Sequence, residues 1–205
     1  MNFLAHLCLS GNGDDDLLGG LLGDFVKGSP EGRYRPAVAE AIRFHRAIDS
    51  YADAHAVTRA SRGRISPARR RFAGVIVDMA YDHFLCRHWQ RYNSQDLDTF
   101  VRRVYHVLNT NHTLLPERLA RILPRMVAEN WLASYAHLER VGEALDRITR
   151  RLSRGGEFLH AVTEVEFNYD ALERDFLAFF PDLMTFCSHR FCVGPRSKPS
   201  ADTRP

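Results

Sequence analysis

Apolar residues recur at three- and four-residue spacing through most of the 205-residue chain, whereas alternating apolar and polar runs are scarce. That spacing places apolar side chains on one face of an α-helix, while a half-buried strand alternates every second residue. The pattern therefore predicts an all-α fold, a helical bundle with irregular connections. Capping residues, prolines and glycines set the ends of the predicted helices, which cover residues 2–9, 17–26, 36–55, 66–92, 97–108, 117–128, 137–152 and 157–191, the last interrupted at Pro181.

The composition indicates a single soluble domain. Hydrophobic residues make up 45% of the chain and charged residues 26%, the ordinary range for globular proteins, and no linker-like shift divides the sequence. We expect one helical domain over residues 1–193. From Gly194 onward "GPRSKPSADTRP" lacks apolar periodicity, so residues 194–205 are predicted to form a solvated, flexible tail.

Charge and cysteine content argue against several kinds of protein. The 28 basic and 25 acidic residues leave a formal net charge of +3, which is too balanced to indicate nucleic-acid binding. Four cysteines without a C-x-x-C pair, and a start without a secretory leader or a membrane-spanning stretch, favour a location in the cytoplasm. The arginines between Arg62 and Arg71 form either a solvated helix start or a docking patch for an acidic partner.

Ionisable residues interrupt the apolar faces of several predicted helices. On the third, the stripe that contains Ile42 continues onto His45 and Asp49, which lie four residues apart and can face one object. In "FAGVIVDMAYDHFLCRHW", Asp78 and Asp82 have the same spacing. A buried carboxylate without a partner costs several kcal/mol, so these residues require cations or a metal ion to neutralise them.

Together with single ionisable groups inside short apolar segments, the candidate metal ligands are His6, Asp24, His45, Asp49, Asp78, Asp82 and His83. Imidazole nitrogen and carboxylate oxygen without thiolate suit Mn²⁺, Fe²⁺, Mg²⁺ or Zn²⁺ in an open hydrolytic site. The alternatives are a hydrogen-bonded core histidine at position 6 and a buried ionic cluster in which aspartates pair with Arg46 or Arg87. Cys8 and Cys86 are interpreted as small buried apolar residues.

Common nucleophile and phosphate-binding motifs do not occur in the sequence. It contains neither G-x-S-x-G nor G-x-x-x-x-G-K-[ST], and the glycines of "LLGGLLGDF" follow no predicted strand. We interpret these glycines as permitting the close approach of neighbouring helices.

Four motifs within the first 92 residues resemble the acyl carrier protein phosphodiesterase family in order and spacing: "MNFLAHLCLS", "LLGDFVKG", "IRFHRAID" and "DMAYDHFLCRHW". The later segment "NYDALERDFLAFFP" adds a looser likeness. In outline the family is similar to the HD-domain phosphohydrolases, which are all-α metal-dependent enzymes. Members of the family often carry a second histidine where this chain has Cys8, so position 8 is not an obligatory ligand.

The resemblance implies removal of the 4'-phosphopantetheine group from holo acyl carrier protein, with Mn²⁺ as the usual metal. A bound divalent ion can provide hydroxide at neutral pH, and Asp24 or Asp49 would orient the attacking water as base. His83 or His88 would protonate the leaving serine hydroxyl. The residues interpreted as binding substrate are Arg46 and Arg87, at the phosphate, and Arg69, Arg70 and Arg71, at the acidic carrier protein.

Two other functions stay open at this point. An HD-type hydrolase of (p)ppGpp or of a nucleoside monophosphate would use a similar metal site. A non-catalytic module that binds carrier protein would instead use the polar cluster as a buried ionic network. Metal analysis separates these hypotheses, because a module would bind no stoichiometric metal and would keep its stability on chelation.

Overall fold

The computed structural model describes residues 1–149 and 159–192, so the predicted tail lies outside the described residues. The regular elements of the described residues are all helical, which confirms the all-α prediction. Within these described ranges, short 3₁₀ helices cover Pro67–Phe72, Trp89–Arg91 and His112–Leu114. The α-helices are α1 (Phe3–Leu9), α2 (Asp14–Leu22), α3 (Pro36–Ala54), α4 (Ala56–Arg64), α5 (Ala73–Arg87), α6 (Leu97–Thr110), α7 (Glu117–Ala128), α8 (Trp131–Ser134), α9 (Leu138–Thr149), α10 (Val162–Phe167) and α11 (Tyr169–Cys192).

Local sequence explains where the helices near the site begin and end. Three aspartates fill the first turn of α2, where negative charge is favoured by the helix dipole. Pro36 occupies the first position of α3, which needs no backbone N–H. The same helix ends at Ala54 because His55 takes an extended conformation, with φ −71° and ψ 135°.

The predicted helix over residues 66–92 is divided in the structure. Ser66 does not cap it, because its backbone N–H and its hydroxyl donate to the Glu164 carboxylate at 3.0 and 2.5 Å. Phe72, the last residue of the 3₁₀ helix, has φ −106° and ψ 2°, and α5 begins at the next residue. Apolar spacing also missed α4, whose buried positions are the polar residues Thr58 and Ser61.

The predicted interruption at Pro181 is wrong, because α11 continues through that residue. Pro181 is exposed, so its ring displaces no core side chain. The Thr185 hydroxyl donates to its carbonyl at 3.0 Å. The predicted element over 157–191 instead divides earlier, between α10 and α11 at Asn168.

Glycines allow α2 to lie very close to its neighbours, as the sequence predicted. A Cβ on Gly19 would lie 2.4 Å from the Ala41 Cβ of α3, and one on Gly20 would lie 2.8 Å from the Ser10 Cβ at the end of α1. Helix α1 also packs against α5. Helices α1, α2, α3 and α5 therefore meet in one region, and these are the helices that carry most candidate ligands.

No helix within residues 1–149 and 159–192 combines the length and apolar character that a bilayer crossing requires.

Candidate metal centre

Five of the seven candidate ligands lie together at the junction of α1, α2, α3 and α5. They are His6 on α1, Asp24 just after α2, His45 and Asp49 on α3, and Asp78 on α5. The two imidazoles are buried, with 0% and 2% of their surface exposed, whereas the carboxylates are partly accessible to solvent. The centre therefore has a buried nitrogen side and an open oxygen side.

The Asp49 carboxylate lies between the two histidines. His6 Nε2 is 3.0 Å from Asp49 Oδ1, and His45 Nε2 is 3.3 Å from Asp49 Oδ2. The two rings are stacked, with centroids 3.6 Å apart and an interplanar angle of 18°. Asp24 Oδ1 lies 3.8 Å from His45 Nε2 on the solvent side.

The hydrogen bonds of His45 determine which of its nitrogens can bind a cation. Nδ1 lies 2.8 Å from the Gly20 carbonyl, and since a carbonyl only accepts, Nδ1 carries a proton. In a neutral ring Nε2 then presents a lone pair to Asp49, so the two acceptors need positive charge between them, either a bound cation or a proton on Nε2 that is donated to the carboxylate. A histidine held in this way by a backbone carbonyl is the usual arrangement for a metal ligand.

His6 is incompletely satisfied as it stands. Burial lowers the pKa of its imidazole to about 3, so the ring is neutral at physiological pH. If Nε2 donates to Asp49, the buried Nδ1 has no hydrogen-bond partner in the described part of the chain. If the proton is on Nδ1 instead, that N–H is unsatisfied and Nε2 faces the carboxylate as a second acceptor.

The carboxylates differ in how the protein sets their pKa values. Partial burial acts against ionisation of Asp49, but hydrogen bonds from His45 and His6 hold its pKa well below the usual range. Burial raises the pKa of Asp24 to about 6 and also raises the pKa of Asp78. The α-ammonium of Met1 lies 3.3 Å from both Asp49 Oδ1 and Asp78 Oδ2, so positive charge is favourable between these carboxylates.

The donor set fits a divalent cation. One ligand atom from each of His6, His45 and Asp49 lies within 4.8 Å of the other two. Metal–ligand bonds of roughly 2.0–2.2 Å place the ligand atoms around one ion about 3–4 Å apart, so small side-chain shifts would close the shell. Two histidines and one carboxylate leave coordination positions open for substrate and water. Asp24 and Asp78 border that open side.

Arg62, which the sequence analysis named only within an arginine cluster, lies close enough to the centre to act on Asp78. Its Nη2 donates to Asp53 at 2.5 Å, and its charge acts on the Asp78 carboxylate. Its Nε is buried and has no hydrogen-bond partner among the described residues. Apolar spacing did not predict α4, which contains Arg62, so the sequence could not place this residue relative to the centre.

Asp82 is not in this cluster, although it lies one turn from Asp78. Its two carboxylate oxygens accept the backbone N–H groups of Leu4 and Ala5, at 2.9 and 3.0 Å. Burial raises the pKa of this carboxyl to about 7, and the two N–H donors act in the opposite direction. The structure therefore places Asp82 as the cap of α1, whose own N-cap residue, Asn2, makes no side-chain capping bond.

His83 and His88 lie toward the other end of α5. The ring nitrogens of His83 pair with the Tyr135 carbonyl and the Tyr169 hydroxyl, each at 2.8 Å. His88 Nε2 pairs with Glu173 at 2.8 Å. Ten residues separate His88 from Asp78, which corresponds to roughly 15 Å along the helix axis. Neither histidine is brought to the centre.

The arginines interpreted as substrate-binding residues are also spread out. Arg46 donates to the Val26 carbonyl at 2.7 Å and so holds the segment after α2, beside the centre. Arg87 is exposed at the C-terminal end of α5, near His83. Arg69 is bound to Glu164 at 3.0 Å, whereas Arg70 and Arg71 are exposed on the 3₁₀ helix that leads into α5.

Cys86 is buried in the core and Cys8 is half-buried against it, so the prediction of small buried apolar residues holds fully for Cys86 and in part for Cys8. Burial raises the pKa of the Cys8 thiol to about 12 and raises that of Cys86 well above its ordinary value. Neither thiol belongs to the group of His6, His45 and Asp49 whose ligand atoms lie close together among the described residues.

Comparison with known proteins agrees with the resemblance seen in the motifs. The family model described as acyl carrier protein phosphodiesterase matches residues 1–183. A protein of Serratia proteamaculans with that name is 37% identical over 185 residues, which cover 90% of this chain and 96% of the relative. One from Yersinia enterocolitica is 33% identical over 90% of this chain and 96% of its own length, and one from Yersinia pestis is 32% identical over 93% and 99%.

No solved structure matches the chain at a significant level, so the likeness to HD-domain proteins stays a prediction. The family match covers residues 1–183, which include the motifs that carry the centre. The chain belongs to the acyl carrier protein phosphodiesterase family.

Proposed function

We propose that this protein is a metal-dependent phosphodiesterase that removes the 4'-phosphopantetheine group from holo acyl carrier protein and leaves the apo form. The observation that carries the proposal is the convergence of His6, His45 and Asp49 from two helices, with ligand atoms within 4.8 Å of one another. The names of the relatives supply the substrate class. Mn²⁺ is the proposed metal, and the nitrogen and oxygen donors also suit Fe²⁺, Mg²⁺ or Zn²⁺.

His6, His45 and Asp49 would hold the ion, and Asp24 and Asp78 would complete the open side. A divalent ion bound there would supply Lewis acidity, which would lower the pKa of water toward about 7 and offset charge on the phosphoryl oxygens. The Gly20 carbonyl holds the orientation of His45, so Nε2 is the ring nitrogen that would bind the ion.

Asp24 would act on the attacking water, and Arg62 would act on the phosphate. Asp24, at the solvent side of His45, would orient the attacking water and take its proton. The water oxygen bonds to phosphorus as the bond between phosphorus and the carrier serine oxygen breaks. The proton that Asp24 takes from the water would then pass to the serine oxygen, so the step balances. Arg62 has a buried Nε without a hydrogen-bond partner among the described residues and is the guanidinium that we assign to the phosphate.

The deciding experiment incubates purified protein and Mn²⁺ with holo carrier protein and follows the product by intact mass. We expect loss of the mass of the phosphopantetheine arm. His45→Ala and Asp24→Ala should abolish or strongly reduce this conversion, while Arg102→Ala, an exposed position on α6, should leave it unchanged.

Metal content provides a second readout. The wild type should bind Mn²⁺ and lose thermal stability on chelation, and His45→Ala should do neither. Wild-type conversion rates in both His45→Ala and Asp24→Ala would refute the assignment of this centre. A protein with no bound metal and no conversion would instead favour a non-catalytic binding module.

A further inference from the structure

A cavity of about 140 Å³ lies between α1, α5, α7, α8 and α9, beside the metal centre. Its lining is mostly apolar and aromatic. The side chains that form this lining include Phe3, Phe25, Met79, Ile122, Trp131 and Ile148.

The cavity and the centre are formed by neighbouring residues of the same chain segments. Phe25 directly follows Asp24, and Met79 directly follows Asp78. Asn2, at the start of α1, also lines the cavity, and its neighbour Met1 contacts the carboxylates. In each of these three chain segments, one residue belongs to the centre or contacts its carboxylates, and the next residue lines the cavity.

A few polar groups are placed within the apolar lining. The Asn2 amide donates to the Met79 sulfur at 3.0 Å, and the Tyr135 phenol also lies in the wall, with a hydrogen bond to Asn2. Arg118 lies over the Phe25 ring at 5.6 Å, and Arg147 lies over Trp131 at 5.2 Å. The lining is therefore suited to a ligand that alternates apolar segments with amide groups.

We propose that this cavity holds the pantetheine part of the substrate arm while the phosphate lies at the metal centre; this inference rests on the proposed function. The gem-dimethyl and methylene segments of the arm match the apolar walls, and its amides match Asn2, Tyr135 and the guanidinium groups. Pockets that enclose drug-sized ligands are roughly 300–1,000 Å³, so a cavity of about 140 Å³ suits part of a slender chain better than a nucleoside.

Filling the cavity tests the proposal. Ile122→Trp on α7 places a larger side chain in the lining, and Arg121→Trp adds the same side chain at an exposed neighbouring position outside it. We expect Ile122→Trp to weaken binding of free 4'-phosphopantetheine by about tenfold or more, since displacing even two buried methylenes corresponds to roughly that factor. Binding of inorganic phosphate should stay unchanged in both variants.

Kinetics give the second measurement. Ile122→Trp should lower kcat/KM for holo carrier protein by about the same factor and leave hydrolysis of bis(4-nitrophenyl) phosphate within about twofold. If Ile122→Trp does not fold, Ala144→Leu, which also projects from the lining, carries the same test. Equal 4'-phosphopantetheine affinities in the folded cavity variant and Arg121→Trp would overturn the proposal.

The two proposals can fail separately. Conversion of holo carrier protein that is insensitive to Ile122→Trp would retain the proposed function and reject the cavity assignment. Binding of 4'-phosphopantetheine that is lost in Ile122→Trp, without conversion by the wild type, would retain the cavity assignment and reject the function.

Discussion

Gly23 determines how closely His45 can approach the end of α2. A Cβ built on Gly23 would lie 2.1 Å from His45 Cγ and 2.3 Å from Cδ2. Ordinary van der Waals contact begins near 3.4 Å, so Gly23→Ala requires the imidazole or the backbone to move by more than 1 Å (3.4 − 2.1 = 1.3 Å). The backbone of Gly23 has φ −52°, which alanine adopts freely, so the effect is steric contact with His45 alone.

The expected consequence is a displaced metal ligand in a folded protein. Overpacking of this kind costs about 1–3 kcal/mol of unfolding free energy. Misdirecting a ligand through its supporting contacts typically lowers metal affinity by about 10–100-fold, and a shift near 1 Å can reduce the rate by about 100-fold. Gly23→Ala should therefore lose Mn²⁺ affinity and activity by these factors while keeping its helical spectrum.

Gly63 provides the matched control. A Cβ there meets nothing within 4 Å, and the residue lies inside α4, where alanine is favoured over glycine by up to about 1 kcal/mol. Gly63→Ala should keep wild-type Mn²⁺ affinity by titration calorimetry and wild-type conversion by intact mass. If Gly23→Ala matches Gly63→Ala in both assays, His45 does not depend on this contact and its assignment as a positioned ligand is wrong.

Three further outcomes are expected. Burial opposes ionisation of Glu164, but hydrogen bonds from Ser66 and Arg69 lower its pKa below the ordinary value for glutamate. The ionised carboxylate therefore stabilises the fold above the pKa of an unfolded glutamate. This contribution is lost as the pH falls through the lower pKa of the folded state. Glu164→Gln should therefore lower the unfolding free energy by about 1.5–3 kcal/mol at pH 7. The variant should also lose less of its unfolding free energy than the wild type as the pH falls, which urea denaturation across a range of pH measures. Asp82→Asn should destabilise the fold by about 1–3 kcal/mol and reduce Mn²⁺ affinity much less than Asp49→Asn does, and equal losses of affinity would identify Asp82 as a ligand. Replacing Arg70 and Arg71 with alanine should raise KM for carrier protein more than for bis(4-nitrophenyl) phosphate, and equal effects on both substrates would exclude docking.

Helices with regular apolar spacing were predictable because that signal is local. The predicted α3 ends within one residue of the observed helix, since Pro36 marks its start and the apolar stripe runs through it. Helix α4 was not predictable in this way because it buries Thr58 and Ser61 rather than apolar residues. Its role depends on contacts with α5 and α11, which spacing within the chain does not reveal.

The convergence of most site residues was predictable for a related reason. An ionisable group on a buried face needs compensation, and His6, His45 and Asp49 compensate one another. The sequence could not determine whether each carboxylate is paired with a metal ion, with a charged side chain or with backbone N–H groups. The sequence predicts a close helix approach at Gly23 but not that His45 is the neighbour, and it names Arg62 only within an arginine cluster, because both roles depend on distances between segments.

Asp82 shows why the remaining assignment required the structure. The sequence indicates correctly that a carboxylate inside an apolar run needs partners, but backbone N–H groups and a metal ion satisfy that need equally well. Here the partners are the Leu4 and Ala5 N–H groups, so Asp82 joins the first turn of α1 to α5. His6 follows directly after Ala5, and its imidazole reaches Asp49 from a turn held in place by Asp82. The carboxylate predicted as a ligand is therefore better explained as the group that positions a ligand, and the smaller loss of metal affinity expected for Asp82→Asn follows from that difference.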